Sequence, residues 1–271
     1  MSNAIWLKQH ATAERQLARD LAVHFNDQAK RVADAIATVD SPSLEDVSLV
    51  FSIDDERSAL IKVVTPHLLQ AAQVGALTEI DRVKSTKATS IQFGTDLAID
   101  GQNEFRFAKH LPNSLVDEIQ NFLNELAKQD YWNEIEAASD GRIRDIIREG
   151  LREGNSGHKL AKKIREALGG DASKTRAKAI ARTETTAAMN AGHLAGMQEL
   201  ARSGAITGKT WLAILDKRCR TSHSALNDTT VAVAANFSVG GTPAPYPGHW
   251  GLPAEERVNC RCTIISDLGD V

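Results

Sequence analysis

Residues 171–204 read DASKTRAKAIARTETTAAMNAGHLAGMQELARSG, and the fold class turns on what this stretch is and where it stops. Ile180, Ala187, Leu194 and Ala201 recur every seven residues, the spacing of an apolar line along one long helix. Gly169-Gly170 ends whatever precedes it, Asp171 or Ser173 is suited to cap the new helix, and Ser203-Gly204 closes it. Upstream, Ile143, Ile146, Ile147 and Leu151 form one helical stripe and Leu160, Ile164 and Leu168 another, with Asn155-Ser156-Gly157 between them. Downstream the pattern changes at once. TWLAIL at 210–215, TTVAVAANF at 229–237 and CRCTII at 260–265 are short β-prone runs between turn residues. Before the last run lies SVGGTPAPYPGHWGLPAEE, whose four prolines and four glycines predict a long ordered loop.

The expected fold is therefore α+β: a helical N-terminal region over 1–139, then a compact domain over 140–271 with long helices packed on a small β-sheet. In the first part, Leu17, Leu21, Phe25, Val32 and Ile36 predict a helix from Ala13 to Val39, with Ser41-Pro42-Ser43 as its stop. A second helix is expected from Asp54 to Ile80, kinked or split at Pro66. Residues 81–110 carry Gly94 and Gly101, lack a pattern and are expected to be a connection or arm; a third helix is expected from Ser114 to Ala138.

With 42% hydrophobic and 25% charged residues, the composition is that of a folded globular protein. Its net charge of -3 gives no general basic surface for coating nucleic acid. The N-terminus has no apolar signal core and no stretch is long enough to span a bilayer, so no membrane partner is expected. Three cysteines, all late in the chain, are too few for a disulfide framework.

Four groups of residues carry candidate chemistry. Arg182, Glu184 and Asn190 lie on the long helix; Glu184 shares a face with the apolar line and should be at least half buried. A buried carboxylate needs a counter-charge, and Arg218 is the expected partner. The same Arg182 and Glu184, with His223, are also the residues an enzymatic site would use, the Glu as general base. Trp211 and Asp216-Lys217-Arg218 follow the first β-run, with Asp216 suited to receive turn amides or hold Arg218 or Arg220. Cys260 and Cys262 alternate to one face of the last run. With His223 and either Cys219 or His249 they supply the donors of a tetrahedral zinc site, although packing as small hydrophobes or a disulfide would use the same thiols. Finally Lys159, Lys162, Lys163, Arg165, Lys174, Arg176, Lys178 and Arg182 stand against only Glu166 and Asp171. That run is either the solvated side of its helices or a contact for DNA phosphates.

Read in order, Ile180-Ala181-Arg182-Thr183-Glu184-Thr185, Asn190, Trp211, Asp216-Lys217-Arg218, His223, Phe237-Ser238-Val239-Gly240-Gly241, Tyr246-Pro247-Gly248 and Val258-Asn259-Cys260-Arg261-Cys262 resemble the C-terminal domain of phage Mu F-like minor head proteins. The resemblance implies a low-copy structural component of the virion head, active in head morphogenesis, with portal protein and other capsid proteins as partners and packaged DNA as a further contact. It implies no enzymatic activity and no small-molecule substrate. Arg182, Glu184, Asn190, Trp211, Asp216, Arg218 and Asn259, with His223 and the two late cysteines, fall on the family's recurring positions and are expected to be the domain's structural signature. Departures are visible: Cys219 stands one place from the first thiol of some relatives, His223 takes the place of the second, Arg257-Val258 replaces His-Pro, and His249 stands where Asp is expected. Some relatives continue into a toxin or enzyme domain; with nine residues after Cys262, none is expected here. Two rival readings are a nuclease or ADP-ribosyltransferase-like enzyme using Arg182, Glu184 and His223, and a DNA-binding module built on residues 159–182.

Overall fold

The structure is a computed structural model and describes residues 3–87 and 111–268, with side chains from Lys8 onward. Helix α1 spans Asn3–Ala37, and Leu17, Leu21, Phe25, Val32 and Ile36 are all buried, as their spacing requires. It begins well before Ala13 because nothing between Asn3 and Thr12 is a Gly or Pro that would stop it. The expected stop is followed by a short helix that the sequence did not announce, α2 (Leu44–Val50). Ser43 caps it reciprocally with Asp46, the Ser hydroxyl accepting from the Asp amide while the Asp carboxylate accepts from the Ser43 amide.

Helix α3 runs unbroken over Ile53–Lys87 with Pro66 inside it, correcting the expected split. A proline forfeits one hydrogen bond, and helix on both sides offsets that loss here. Residues 81–87, expected to begin a connection, are its last turns; residues 88–110 lie outside the described residues. The single helix expected from Ser114 to Ala138 is two, α4 (Asn113–Ala127) and α5 (Tyr131–Arg152), and the expected junction at 139/140 falls inside α5. Next come α6 (Gly157–Leu168) and α7 (Gly170–Arg202). Gly170, at φ 56, opens α7 in place of the expected Asp171 or Ser173 cap, and Asp171 lies in the first turn where its charge suits the helix dipole.

Beyond α7 the strands are shorter than their β-prone runs. Strands β1 (Gly208–Leu212), β2 (Thr230–Ala232) and β5 (Thr263–Asp267) form an antiparallel sheet in the order β2-β1-β5, with Trp211 opposite Ile264 and Thr210 opposite Thr230. The Pro- and Gly-rich stretch, expected to be loop, contributes to a hairpin of β3 (Phe237–Val239) and β4 (Thr242–Ala244). Its two turn residues, Gly240 and Gly241, have φ of 57 and 89, the positive values that a two-residue hairpin turn of the primed type demands. Two one-turn helices complete the chain, α8 (Thr221–Ser224) and α9 (Ala254–Arg257).

The chain packs as two compact units. One comprises Arg15–Thr65 and Ala127–Ala181. Its core joins Val32, Ala33 and Ile36 of α1, Val47 of α2, Ile143, Ile146 and Ile147 of α5, and Leu160, Ala161 and Ile164 of α6. The other comprises Met1–Glu14, Pro66–Leu126 and Arg182–Val271. In it α3 and α7 meet at backbone distance: a side chain on Gly192 would put its Cβ 1.9 Å from the Ala72 carbonyl oxygen. Every residue from Thr183 to Asn190 is buried, whereas Ile180 and Leu194 of the seven-residue line are only partly so. In this unit α7 is thus surrounded on all sides and does not merely cover the sheet with one stripe. Among the described residues no helix is long and apolar enough to cross a membrane.

Candidate functional site

The segment from Arg257 to Ile264 is only partly strand, so most of its backbone groups lack a β-partner, and a buried backbone group without one is costly. Side chains of α7 take that place. Thr183 Oγ1 accepts the Asn259 amide at 3.0 Å, and Thr186 Oγ1 donates to the Cys260 carbonyl at 3.0 Å. Asn190 then uses its whole amide: its nitrogen donates to the carbonyls of Cys262 (3.0 Å) and Pro247 (3.2 Å), and its oxygen accepts from Thr263 Oγ1 (2.9 Å) and the Ile264 amide (3.2 Å). Asn259 itself sits at φ 58, a left-handed conformation that Asn tolerates better than most residues. The spacing Thr183, Thr186, Asn190 puts these groups on one side of the helix, three and four residues apart.

Two ion pairs bracket this seam. Glu184, 1% exposed, receives both hydrogen bonds of one Arg257 amino group at 2.8 Å each, which corrects the expected partner Arg218. Arg257 Nε also donates to the Gly248 carbonyl. Arg218 lies in the other pair's neighbourhood. Asp216 accepts two hydrogen bonds from Arg261, at 2.7 and 2.6 Å, and one from the Arg218 amide at 2.9 Å. The Arg261 guanidinium first and the Arg218 amide second hold the Asp216 carboxyl far below the usual range. Arg257 and Arg261 were missed as partners. A buried Glu announces that it needs an Arg, but residues 218, 220, 257 and 261 all offered one, and sequence spacing cannot rank contacts made across a fold.

Arg182 turns to Glu14 at 3.0 Å, not toward Glu184's partner. One turn along, His10 Nε2 lies 2.9 Å from Thr186 Oγ1; burial, then the Arg182 charge, lowers its pKa to about 4. Nearer the sheet, Glu79 holds His193 at 3.2 Å and Arg82 at 2.7 Å and accepts the Ser266 amide at 2.8 Å. Burial alone would raise the Glu79 pKa, yet the hydrogen bond from His193 and the charges of His193 and Arg82 bring it to about 2. Trp211, fully buried, sets its ring edge-to-face against His223 and Phe237, with centroids 5.6 and 5.2 Å apart.

The thiols converge on His223. Its Nδ1 is 3.3 Å from Cys262 Sγ and 3.6 Å from Cys260 Sγ, and all three residues are buried. Its Nε2 lies 2.9 Å from Glu256 Oε2, at an angle that is not a hydrogen bond. Ser222 Oγ donates to the same carboxylate oxygen. The two cysteines do not alternate along a strand as expected, since β5 starts only at Thr263. The left-handed turn at Asn259 precedes them instead. His249 stays away: its Nδ1 accepts the Gly251 amide, and its ring packs against Trp250 and Tyr246. Cys219 is half-buried and lines one cavity with His223, Cys262, Arg218, Arg220 and Arg261. All three cysteines are free.

The basic run as far as Lys178 belongs to the other unit, and most of its charges are paired there. Lys163 pairs with Glu153, Arg165 with Asp34, Lys174 with Asp171, and Lys162 approaches Glu166. Arg176 corrects the expected stripe most clearly: it turns inward, donating to Ser139 Oγ and the Ile135 carbonyl and capping the Phe25 ring at 4.0 Å. Lys159 and Lys178 remain exposed.

A long helix whose Thr, Glu and Asn side chains hold a late Asn-Cys-Arg-Cys segment onto a small sheet is the class of domain that fold and site define together. Residues 141–265 match the model of the Phage Mu protein F like protein family. Among curated proteins, the minor head protein of Bacillus phage SPP1 is 31% identical over 120 residues, covering 44% of this chain and 38% of that protein. An Enterococcus faecalis protein named NAD(+)–arginine ADP-ribosyltransferase is 29% identical over 226 residues, covering 81% of this chain and 43% of that protein. The chain thus spans about two-fifths of the length of the relatives it matches. No solved structure matches.

Proposed function

We propose that the chain is a phage minor head protein, a structural and non-enzymatic component of the virion head. It is built in during head morphogenesis in the host cytoplasm, at or near the portal, in contact with portal protein and other capsid proteins, and it aids DNA packaging or ejection. The helices of residues 1–139 are the contact elements in this reading, because amphipathic helices suit packing against another chain. The observation that carries it is how the family-matching residues are used: Glu184, Asn190 and Asp216 are spent on holding the segment from Arg257 to Ile264, not on lining a cleft.

The enzymatic reading is favoured only by the printed name of the Enterococcus faecalis relative. Against it, its three residues serve three separate partners: Arg182 meets Glu14, Glu184 meets Arg257, and His223 meets the two thiols. Glu184→Gln separates the readings. A buried structural carboxylate should cost about 2–4 kcal/mol in urea unfolding when its charge is removed and Arg257 is left unpaired. An unchanged unfolding midpoint together with loss of an ADP-ribosyl transfer or nuclease activity would reverse the conclusion. Quantitative mass spectrometry of DNA-filled particles tests the location. The chain should be present at low copy relative to the shell protein, and its absence from particles would sink the proposal.

A further inference from the structure

We propose that His223, Cys260 and Cys262, with Cys219 as fourth ligand, form a structural zinc site that clips α8 to the Asn259–Cys262 segment. In a tetrahedral site with Zn–N of about 2.0 Å and Zn–S of about 2.3 Å, a nitrogen and a sulfur ligand stand about 3.5 Å apart. His223 Nδ1 stands 3.3 Å from one sulfur and 3.6 Å from the other. The three donor atoms all lie within 4.8 Å of one another. Three side chains from two distant stretches are therefore already at coordination spacing around a point that a metal could occupy. Two thiols and an imidazole are a borderline-soft donor set, which selects zinc over the hard cations magnesium and calcium.

The surroundings fit as well. The far ring nitrogen of His223 lies 2.9 Å from Glu256 Oε2 without a formed hydrogen bond, close enough that a small turn of the ring on metal binding would give the carboxylate–histidine arrangement that orients a metal-bound imidazole. Cys219 is the one remaining thiol in the chain and lines the same cavity, and its spacing from His223 is the short one that structural sites use. In this structure its sulfur points to the Arg220 carbonyl at 3.7 Å and lies outside the three-atom cluster, so the fourth ligation requires that side chain to turn; His249 packs elsewhere, against Trp250 and Tyr246. Three thiolates leave a zinc centre with one net negative charge, and Arg218, Arg220 and Arg261 line the cavity around it. The clip would act where the sheet is smallest and help to fix a segment whose backbone has little β-pairing.

The test is metal analysis of the full chain purified from a zinc-replete cytoplasm without chelator. About one zinc ion per chain is expected, and replacement by Co2+ should give the intense thiolate-to-metal charge-transfer bands of a tetrahedral sulfur-ligated site. Glu256→Gln leaves every ligand in place and should weaken zinc binding about 10–100-fold. Cys260→Ser should abolish stoichiometric binding; should that variant not fold, chelator competition on the wild-type chain, read by thermal unfolding, replaces it, with a fall in midpoint expected. Folded, zinc-free protein that shows no thiolate bands with added Co2+ would overturn the site. So would a Cys260–Cys262 disulfide in protein kept under reducing conditions.

Discussion

Asn190 concentrates more of the domain's hydrogen bonding than any other single side chain on α7, and its loss is correspondingly easy to predict. Asn190→Ala removes an amide that serves two carbonyls, a hydroxyl and a strand amide, all buried. Leaving several such groups unpaired should cost about 2–4 kcal/mol, measured as a shift in the urea midpoint. Protonation acts at the same scale. His10 has a folded pKa of about 4 against 6.5, with burial the first cause and Arg182 the second. The unfolded chain therefore takes up a proton that the folded chain refuses, so stability is full above pH 6.5 and falls as pH drops toward 4. The expected loss is on the order of 3 kcal/mol. His10→Asn should flatten the thermal midpoint across that window, and a slope identical to wild type would show that another group governs it. Glu79, depressed from 4.5 to about 2, continues the loss at lower pH. Burial shifts Glu136 the other way, raising its pKa and adding stability as pH falls.

At the scale of elements, α7 was legible in position and almost in length, but its environment was not. The seven-residue line predicted one buried face, yet the polar residues Thr183, Glu184, Thr185, Thr186, His193 and Asn190 are buried with the apolar ones. Periodicity counts hydrophobic residues, and it cannot see a helix whose polar side chains are buried because they replace a missing strand partner. The same blindness hid Arg257 and Arg261, whose partners lie 73 and 45 residues away. The strand runs were visible, but their limits depended on pairing and on turns such as Gly240-Gly241. Small residues at the helix crossing carried a signal of their own. Gly192→Ala would bring a methyl against the Ala72 backbone, which has no side-chain freedom to yield. Overpacking of about 2–3 kcal/mol is expected, read in urea unfolding, and a neutral result would mean that α3 and α7 separate easily.

At the scale of the molecule, the net charge of -3 and the surface ion pairs that partly offset the basic run argue for weak, unspecific DNA contact at most. Duplex DNA binding at physiological salt should be slight; a tight complex with a steep salt slope would restore residues 159–182 as a phosphate-binding face. The α+β class and the resemblance to Mu F-like proteins were both readable in advance, because order and spacing of a scattered signature survive where single contacts do not. The two units drew on stretches far apart in sequence, which no local composition shift announces.

The last strand, β5, pairs with β1, and its Ser266 amide is held by Glu79 across 187 residues of sequence. Loops of that length must close before these contacts can contribute, and topologies rich in such closures fold slowly. On the ribosome this unit stays open until β5 has emerged, because Glu79 and β1 wait for contacts that only that strand supplies. Until then α7 exposes the hydroxyls and the amide that will later grip that strand. The nascent chain is in that interval a receptor waiting for its own last-described strand.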